Sequence, residues 1–164
     1  MITHPELTID GLIAELLTLG NISEAEPPVV TRVVFSEADM RARAYVRDLC
    51  EGAGLTISVD AIGNTFARWK GTDPELAPVG TGSHIDAIPN AGLYDGCVGV
   101  LGGLEAIRVL QKLGYKPRRS IELVIFTAEE PTRFGIGCLG SRMMASVLTP
   151  QQALALRDKE GRGL

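Results

Sequence analysis

Segments with the apolar pattern of β-strands alternate along this chain with segments that show the apolar period of helices. Strand patterns cover residues 55–59, 65–70, 79–83 and 120–127, and helical patterns cover residues 9–19, 37–52, 99–113 and 140–146. Such alternation is typical of an α/β domain, because each helix can cover one face of the sheet between two strands. The sequence therefore predicts a mixed, mostly parallel sheet flanked by helices, with a hairpin over residues 55–70.

Length, charge and cysteine content limit the kind of protein that this can be. The 164 residues favour one domain, and a formal net charge of -4 without a basic stripe argues against nucleic acid and anionic membranes as partners. No apolar run reaches the roughly 18 residues of a membrane span, and residues 1–10 carry no secretion signal. Three widely spaced cysteines, Cys50, Cys97 and Cys138, predict small buried side chains in a reducing cytoplasm rather than disulfides or a cysteine zinc site.

The first polar segment with metal-ligand chemistry begins at His84, directly after a predicted strand. His84 and Asp86 are separated by one residue, so they point the same way in an extended chain. There, the Asp86 carboxylate can accept the spare imidazole N–H and aim the other ring nitrogen at a metal ion. Asp95 follows in a glycine-flanked turn that can bring it back toward His84. For these residues alone, a surface histidine and a helix-capping aspartate are the simpler explanation.

The second such segment contains two adjacent carboxylates, Glu129 and Glu130, after the apolar residues 121–126. Two like charges at the end of a buried strand are costly unless a nearby cation compensates them. Because neighbouring side chains of an extended segment diverge, one glutamate can bind a metal ion while the other acts as a general base toward water. A solvated loop in which Arg133 pairs with one glutamate is the alternative. Together, the imidazole and carboxylate groups of both segments suit zinc, manganese or cobalt.

Residues 135–140 match the glycine spacing G-x-G-x-x-G of dinucleotide-binding loops. That fingerprint must follow a strand directly, whereas here residues 129–134 intervene and their two carboxylates would repel a pyrophosphate. A nucleotide site is therefore not predicted. We attribute four other glycines to close packing of a helix start against the sheet: Gly96, Gly99, Gly102 and Gly103.

The strings GSHIDAIPNAGLYDGCVGVLGGLEAI and VIFTAEEPTRFGIGCLGSR resemble the M20-type metallohydrolases. They are most similar to the branch that contains allantoate amidohydrolase, ureidoglycolate amidohydrolase and N-carbamoyl-L-amino acid hydrolase, and the short gap from Asp86 to Asp95 is similar to that branch. The resemblance covers nearly the whole chain, including the hairpin at Gly63 and Asn64. It implies a zinc-aminopeptidase-like catalytic domain of a two-metal amidohydrolase that cleaves a ureido or carbamoyl C–N bond.

The resemblance also implies a role for each polar side chain. His84 would bind one ion, Asp95 would bridge two ions and Glu130 would bind the second, with manganese, zinc or cobalt as the metal. Glu129 would be the general base, and Asp86 would orient His84. A hydroxide held between the ions would attack the ureido carbonyl of a small-molecule substrate.

Three further polar residues, Asn90, Arg133 and Arg142, would contact carboxylate or carbonyl groups of that substrate. A structural role is an equal alternative for each of them.

Members of this branch use two more metal-binding histidines and a lid domain that carries dimerisation, whereas this chain has only His4 and His84. His4 lies near the N-terminus and is a poor candidate ligand. We therefore expect residues 1–164 to be the N-terminal part of the catalytic domain, without the lid domain and inactive alone, of a cytoplasmic enzyme that is a homodimer at full length. A non-catalytic remnant that serves as an interaction module, and an M20 peptidase, are the alternative functions.

Overall fold

The structure of this protein is a computed structural model, and it describes residues 9–164. His4 belongs to residues 1–8, which lie outside the described residues, so the expectation about it stays a prediction. In chain order the helices and strands are α1 (Ile9–Asn21), β1 (Val30–Arg32), α2 (Glu37–Gly52), β2 (Thr56–Val59), β3 (Thr65–Trp69), β4 (Val79–His84), β5 (Ala87–Ala91), α3 (Cys97–Lys112), β6 (Ile121–Phe126), α4 (Leu139–Met144) and α5 (Pro150–Ala155).

A four-stranded sheet in the order β2-β3-β6-β4 forms the centre of the fold. β2 pairs antiparallel with β3, β3 pairs antiparallel with β6, and β4 pairs parallel with β6. The prediction of an α/β fold with a mixed sheet is thus confirmed, and so is the hairpin. The expectation that most strand pairs are parallel was wrong for the described residues. The hairpin leaves β3 antiparallel to β6, and a parallel pair needs the long crossover that α3 provides between β4 and β6.

Two short strands, β1 and β5, form a separate antiparallel sheet in which Val30 lies opposite Ala91 and Arg32 opposite Ala87. The sequence pattern predicts neither strand, because segments this short do not show a period. Helix α5 is also absent from the prediction, although its capping box is visible in the sequence. Thr149 N donates to Gln152 Oε1 (2.9 Å), and Gln152 N donates to Thr149 Oγ1 (3.3 Å).

The main hydrophobic core lies between the four-stranded sheet and helices α1, α2 and α3. Two glycines of α3 allow this helix to approach the sheet closely. A Cβ on Gly99 would lie 2.7 Å from the Cβ of Ser83, and one on Gly103 would lie 2.9 Å from Leu123 Cδ1. Close packing is thereby confirmed at these two positions, whereas a Cβ on Gly102 would meet no atom within 4 Å.

Cys50 and Cys97 are buried and free, as predicted. Cys138 is free but exposed at the N-terminal end of α4, so the prediction of burial was wrong for this residue, because the polar segment before α4 carries it to the surface. Among residues 9–164, no helix has the length and apolar character that a membrane crossing requires.

Candidate active site

The two polar segments meet because β4 and β6 are parallel neighbours in the sheet. His84, the last residue of β4, is paired with Phe126, the last residue of β6. Parallel strands end at the same edge of a sheet, so the residues that follow them share one crevice. Glu129 and Glu130 come shortly after β6 and therefore lie at the edge where His84 ends β4.

The imidazole of His84 is buried and held at one nitrogen. Its Nδ1 lies 3.0 Å from the backbone oxygen of Asp86 and 3.5 Å from Asp86 Oδ1. When Nδ1 donates to the backbone oxygen of Asp86, Nε2 keeps its lone pair. Nε2 faces Asp95 Oδ1 at 3.7 Å and Glu129 Oε2 at 3.5 Å. Burial by itself lowers the pKa of His84, but the hydrogen bond and charge of Asp86 and the charge of Glu129 raise this pKa overall. Negative charge is thus concentrated around the free nitrogen.

Asp86 connects the two polar segments. Its side chain is buried, and its carboxylate accepts hydrogen bonds from two consecutive backbone amides: Oδ1 from Glu129 N (3.2 Å) and Oδ2 from Glu130 N (3.0 Å). One carboxylate therefore fixes the backbone of both glutamates while it also contacts His84. The contact with His84 follows from the spacing in the sequence, whereas the two amide contacts are not predicted by it.

A set of carboxylates surrounds the imidazole at this edge of the sheet. Burial raises the pKa of Glu130, and the charges of Glu129, Asp95 and Asp86 raise it further against the opposing charge of His84. Oxygen and imidazole donors with surplus negative charge fit a divalent cation in type and in charge. Within the described residues, no three His, Cys, Asp or Glu side chains are already spaced as ligands of one ion. The side chains therefore have the right chemistry for a divalent ion, but within the described residues they are not yet at ligand spacing.

Gly96 follows the candidate ligand Asp95 and packs closely against His84. Its φ is 65°, in the left-handed region that favours glycine. A Cβ at this position would lie 2.6 Å from His84 Nε2 and 2.5 Å from the His84 backbone oxygen. The position of the imidazole therefore depends on the absence of a side chain at Gly96.

Gly96→Ala in the full-length protein is expected to displace His84 and to weaken metal binding by about tenfold or more. The change is measured as metal content after dialysis against buffers of graded free metal. Gly102→Ala is the matched control, because Gly102 lies inside α3, which Gly96 precedes, and a Cβ there meets open space. This control is expected to keep the metal and to gain roughly 0.5–1 kcal/mol of stability from higher helix propensity. Equal metal affinity in the two variants would contradict the role of Gly96.

The segment between β6 and α4 folds back on itself and carries both glutamates. Three consecutive amides donate to three consecutive carbonyl oxygens at 2.7 to 2.9 Å: Cys138 to Glu129, Leu139 to Ala128, and Gly140 to Thr127. A Cβ on Gly137 would lie 3.0 Å from the Glu129 backbone oxygen, so a glycine permits the close return of the chain. The G-x-G-x-x-G spacing thus belongs to the turn that holds the glutamates.

The three residues predicted to contact substrate lie in different surroundings. Arg133 is engaged within the protein, since its Nε donates to Asp158 Oδ2 (3.3 Å) and its Nη1 donates to a backbone carbonyl (3.0 Å). Asn90 is exposed on β5, and Arg142 is exposed on α4. These contacts favour the structural alternative for Arg133, while Asn90 and Arg142 stay candidates for substrate binding.

Arg32, which belongs to no sequence motif described above, is buried next to the site, with 1% of its surface exposed. Its guanidinium donates to Ile85 O (2.6 Å), Leu19 O (2.9 Å), Ile22 O (2.7 Å) and Cys97 Sγ (3.3 Å). Ile85 follows His84 directly and Cys97 comes two residues after Asp95, so one buried cation ties together the parts of the chain next to these two candidate ligands. Its place within the apolar residues 29–35 is the signal that could have identified it.

Asn64 is a second buried residue that supports the site. Its Nδ2 donates to Asp60 Oδ2 (2.8 Å) and to Gly140 O (3.1 Å), and its Oδ1 accepts from Thr127 N (2.9 Å). The hairpin turn is thereby joined to both ends of the segment that carries the glutamates. The position of this asparagine after a glycine in the predicted turn is its visible signal.

Known proteins similar to this chain include two curated hydrolases and one solved structure. The ureidoglycolate hydrolase of Arabidopsis thaliana is 50% identical over 160 residues, which are 96% of this chain and 34% of that protein. The N-carbamoyl-L-amino acid amidohydrolase of Geobacillus stearothermophilus is 40% identical over 152 residues, which are 93% of this chain and 37% of that protein. The crystal structure of AtUAH in complex with glyoxylate matches with a TM-score of 0.93 at 47% identity, over 98% of this chain and 38% of that one. The chain thus spans about a third of the length of the curated relatives it matches.

One protein family matches residues 64–158, which are more than half of the chain and include every candidate residue from His84 to Glu130. Its description is peptidase family M28, and not the M20 type that the two strings resemble. The similarity to ureidoglycolate and N-carbamoyl amino acid hydrolases stands beside this match. The chain belongs to peptidase family M28.

Proposed function

We propose that the full-length protein is a metal-dependent amidohydrolase that cleaves a ureido or carbamoyl C–N bond. The observation that supports this most is the meeting of His84, Asp95 and Glu129 at the shared end of β4 and β6. The substrate class is supported by the names of similar proteins: ureidoglycolate hydrolase, N-carbamoyl-L-amino acid amidohydrolase and allantoate deiminase. Of the resemblance to the M20-type branch, the proposal keeps only the substrates of that branch.

In this proposal His84, Asp95 and Glu130 would supply part of the ligands of two divalent ions, of manganese, zinc or cobalt, and Asp95 would be a ligand of both. When bound, such ions supply Lewis-acid polarisation of a carbonyl oxygen and lower the pKa of water. Asp86 serves the ligands in two ways. It holds Nδ1 of His84, which leaves Nε2 available, and it fixes the backbone amide of Glu130 at 3.0 Å.

Glu129 is the general base of the proposed reaction. Its side chain is 38% exposed beside His84 Nε2, so water and a small substrate can reach the carboxylate. Glu129 takes a proton from the water that attacks the ureido carbonyl and passes it to the departing nitrogen. Complete hydrolysis of a carbamoyl group in this way yields ammonia and carbon dioxide.

Substrate contacts and assembly complete the proposal. Asn90 and Arg142 offer exposed polar groups for a carboxylate of the ureido acid, whereas Arg133 is occupied by Asp158. The expected ligand is a small ureido acid, and the expected assembly of the full-length protein is a homodimer.

Cleavage of a peptide bond is the second candidate function, because the matching family is described as a peptidase family. A non-catalytic interaction module is the weaker alternative. Such a module has no physical need for a glutamate, Glu130, whose pKa is raised by burial and by the charges of neighbouring carboxylates.

A substrate panel on the full-length protein separates these candidates. Ureidoglycolate, allantoate, an N-carbamoyl-L-amino acid and a dipeptide are each assayed after metal removal and after addition of manganese, zinc or cobalt. Ammonia release from one ureido compound is expected, with kcat/KM at least about 100-fold above that for the dipeptide. Metal removal is expected to abolish the release of ammonia. Dipeptide cleavage without ammonia release would instead assign a peptidase, and inactivity toward every compound would leave the non-catalytic alternative.

A further inference from the structure

The exposed thiol of Cys138 lies against the carboxylate of Glu129. Its Sγ is 3.3 Å from Glu129 Oε1, while the other carboxylate oxygen, Oε2, is 3.5 Å from His84 Nε2. The two oxygens of the carboxylate therefore have different partners, a thiol on one side and the imidazole on the other. A carboxylate that accepts a hydrogen bond at one oxygen loses part of the free rotation that an exposed glutamate otherwise has.

The backbone brings Cys138 to this place at a conformational cost. Its φ is 58°, in the left-handed region that non-glycine residues seldom adopt. The Cys138 amide donates to the Glu129 backbone oxygen (2.7 Å), so both the main chain and the side chain of this residue contact Glu129. Ala128, which precedes Glu129, has a φ of 51°. Left-handed backbone at non-glycine residues is costly, and such conformations cluster at functional sites.

We propose that Cys138 is a positioning residue that holds the Glu129 carboxylate in its orientation toward the site, through an S–H hydrogen bond to Oε1. This inference rests on the proposed function, in which Glu129 is the general base. The thiol acts only as a donor, and no bond to sulfur forms or breaks in the reaction. Because Cys50 and Cys97 are buried, Cys138 is the cysteine of the described residues that can be replaced without opening a cavity in the core.

Two substitutions in the full-length, metal-loaded protein test this role. Cys138→Ala is expected to lower kcat about tenfold and to change KM by less than about twofold, because the base is misplaced while substrate contacts remain. Cys138→Ser keeps a donor and is expected to recover kcat to within about threefold of the unmodified protein. Unchanged kcat in Cys138→Ala, or an equal loss in Cys138→Ser, would overturn the proposal.

Ser141→Ala is the matched control for these substitutions. It removes a side-chain hydrogen bond to Cys138 O (3.1 Å) in the same turn but does not touch Glu129, and it is expected to leave kcat unchanged. All three variants are expected to keep the metal content and the unfolding midpoint of the unmodified protein. A shared loss of metal would assign Cys138 a merely structural role.

A second measurement does not depend on turnover. Iodoacetamide labelling of Cys138, followed by mass spectrometry, is expected to be several-fold faster in Glu129→Gln than in the unmodified protein. The hydrogen bond to the Glu129 carboxylate raises the pKa of the Cys138 thiol. Because the thiolate is the form that reacts, labelling is slower while this carboxylate is present. Equal labelling rates would overturn the contact itself. If the unmodified protein releases no ammonia from any ureido compound, the proposed function fails, whereas the labelling rates still decide whether Cys138 holds Glu129.

Discussion

Glu129→Ala in the full-length protein is expected to lower kcat for the ureido substrate by about a thousandfold while the metal content stays near that of the unmodified protein. The substitution removes the proton acceptor but leaves the three proposed ligands His84, Asp95 and Glu130. The Glu129 side chain lies between Cys138 and the buried His84 and is 38% exposed, so water can reach its carboxylate. Ammonia release at saturating substrate and metal analysis of the same preparation measure the two effects separately.

Glu130→Ala is the matched comparison. It removes the carboxylate of the neighbouring residue, and the backbone amides of both residues donate to Asp86. This variant is expected to lose metal, and activity with it. Metal loss in Glu129→Ala with retention in Glu130→Ala would show that the two glutamates have exchanged roles. Near-normal turnover in Glu129→Ala would refute the general-base assignment outright.

Arg32→Met is expected to lower the free energy of unfolding by about 3–5 kcal/mol. Methionine is an unbranched apolar side chain without a donor, so the carbonyl oxygens of Leu19, Ile22 and Ile85 would lose the hydrogen bonds that the guanidinium donates. Since Ile85 lies between His84 and Asp86, the loss is also expected to weaken metal binding. Urea-induced unfolding with and without added metal measures both consequences.

Arg68→Met is the control for this substitution. Arg68 is 44% exposed and pairs with Glu122 at 2.7 Å on the sheet surface, so its removal is expected to cost less than about 1 kcal/mol. Arg32→Lys is expected to be intermediate, because an ammonium group keeps the charge but cannot span the same set of acceptors. If Arg32→Met costs no more than Arg68→Met, the buried guanidinium does not hold the fold together.

The sequence predicts those parts of the fold that repeat a local pattern. Helix α2 begins after Ser36, whose Oγ accepts from Asp39 N (3.3 Å), and ends at Gly52, as its capping and stop residues indicate. The meeting of His84 with Glu129 is also predictable, because it requires only that two segments end strands of one sheet.

Other features depend on contacts between distant residues, and no local pattern reports them. The partners of Arg32 are contributed by three separate parts of the chain, and strands β1 and β5 acquire their form only by pairing with each other. Cys138 is misjudged for a related reason. Cysteine is buried on average, but the position of this one is decided by the return of the chain toward Glu129.

The bonds of Asp86 also determine when the site can form as the chain folds. They join residues 43 and 44 positions apart, and they can close only once β4 and β6 lie side by side. Bringing such distant segments together costs loop-closure entropy, which core burial has to offset first. In the nascent chain the prospective ligands are dispersed, so an ion has nothing to capture before the sheet is assembled. Binding of the proposed metal ions would then follow folding, and the sheet would form without them.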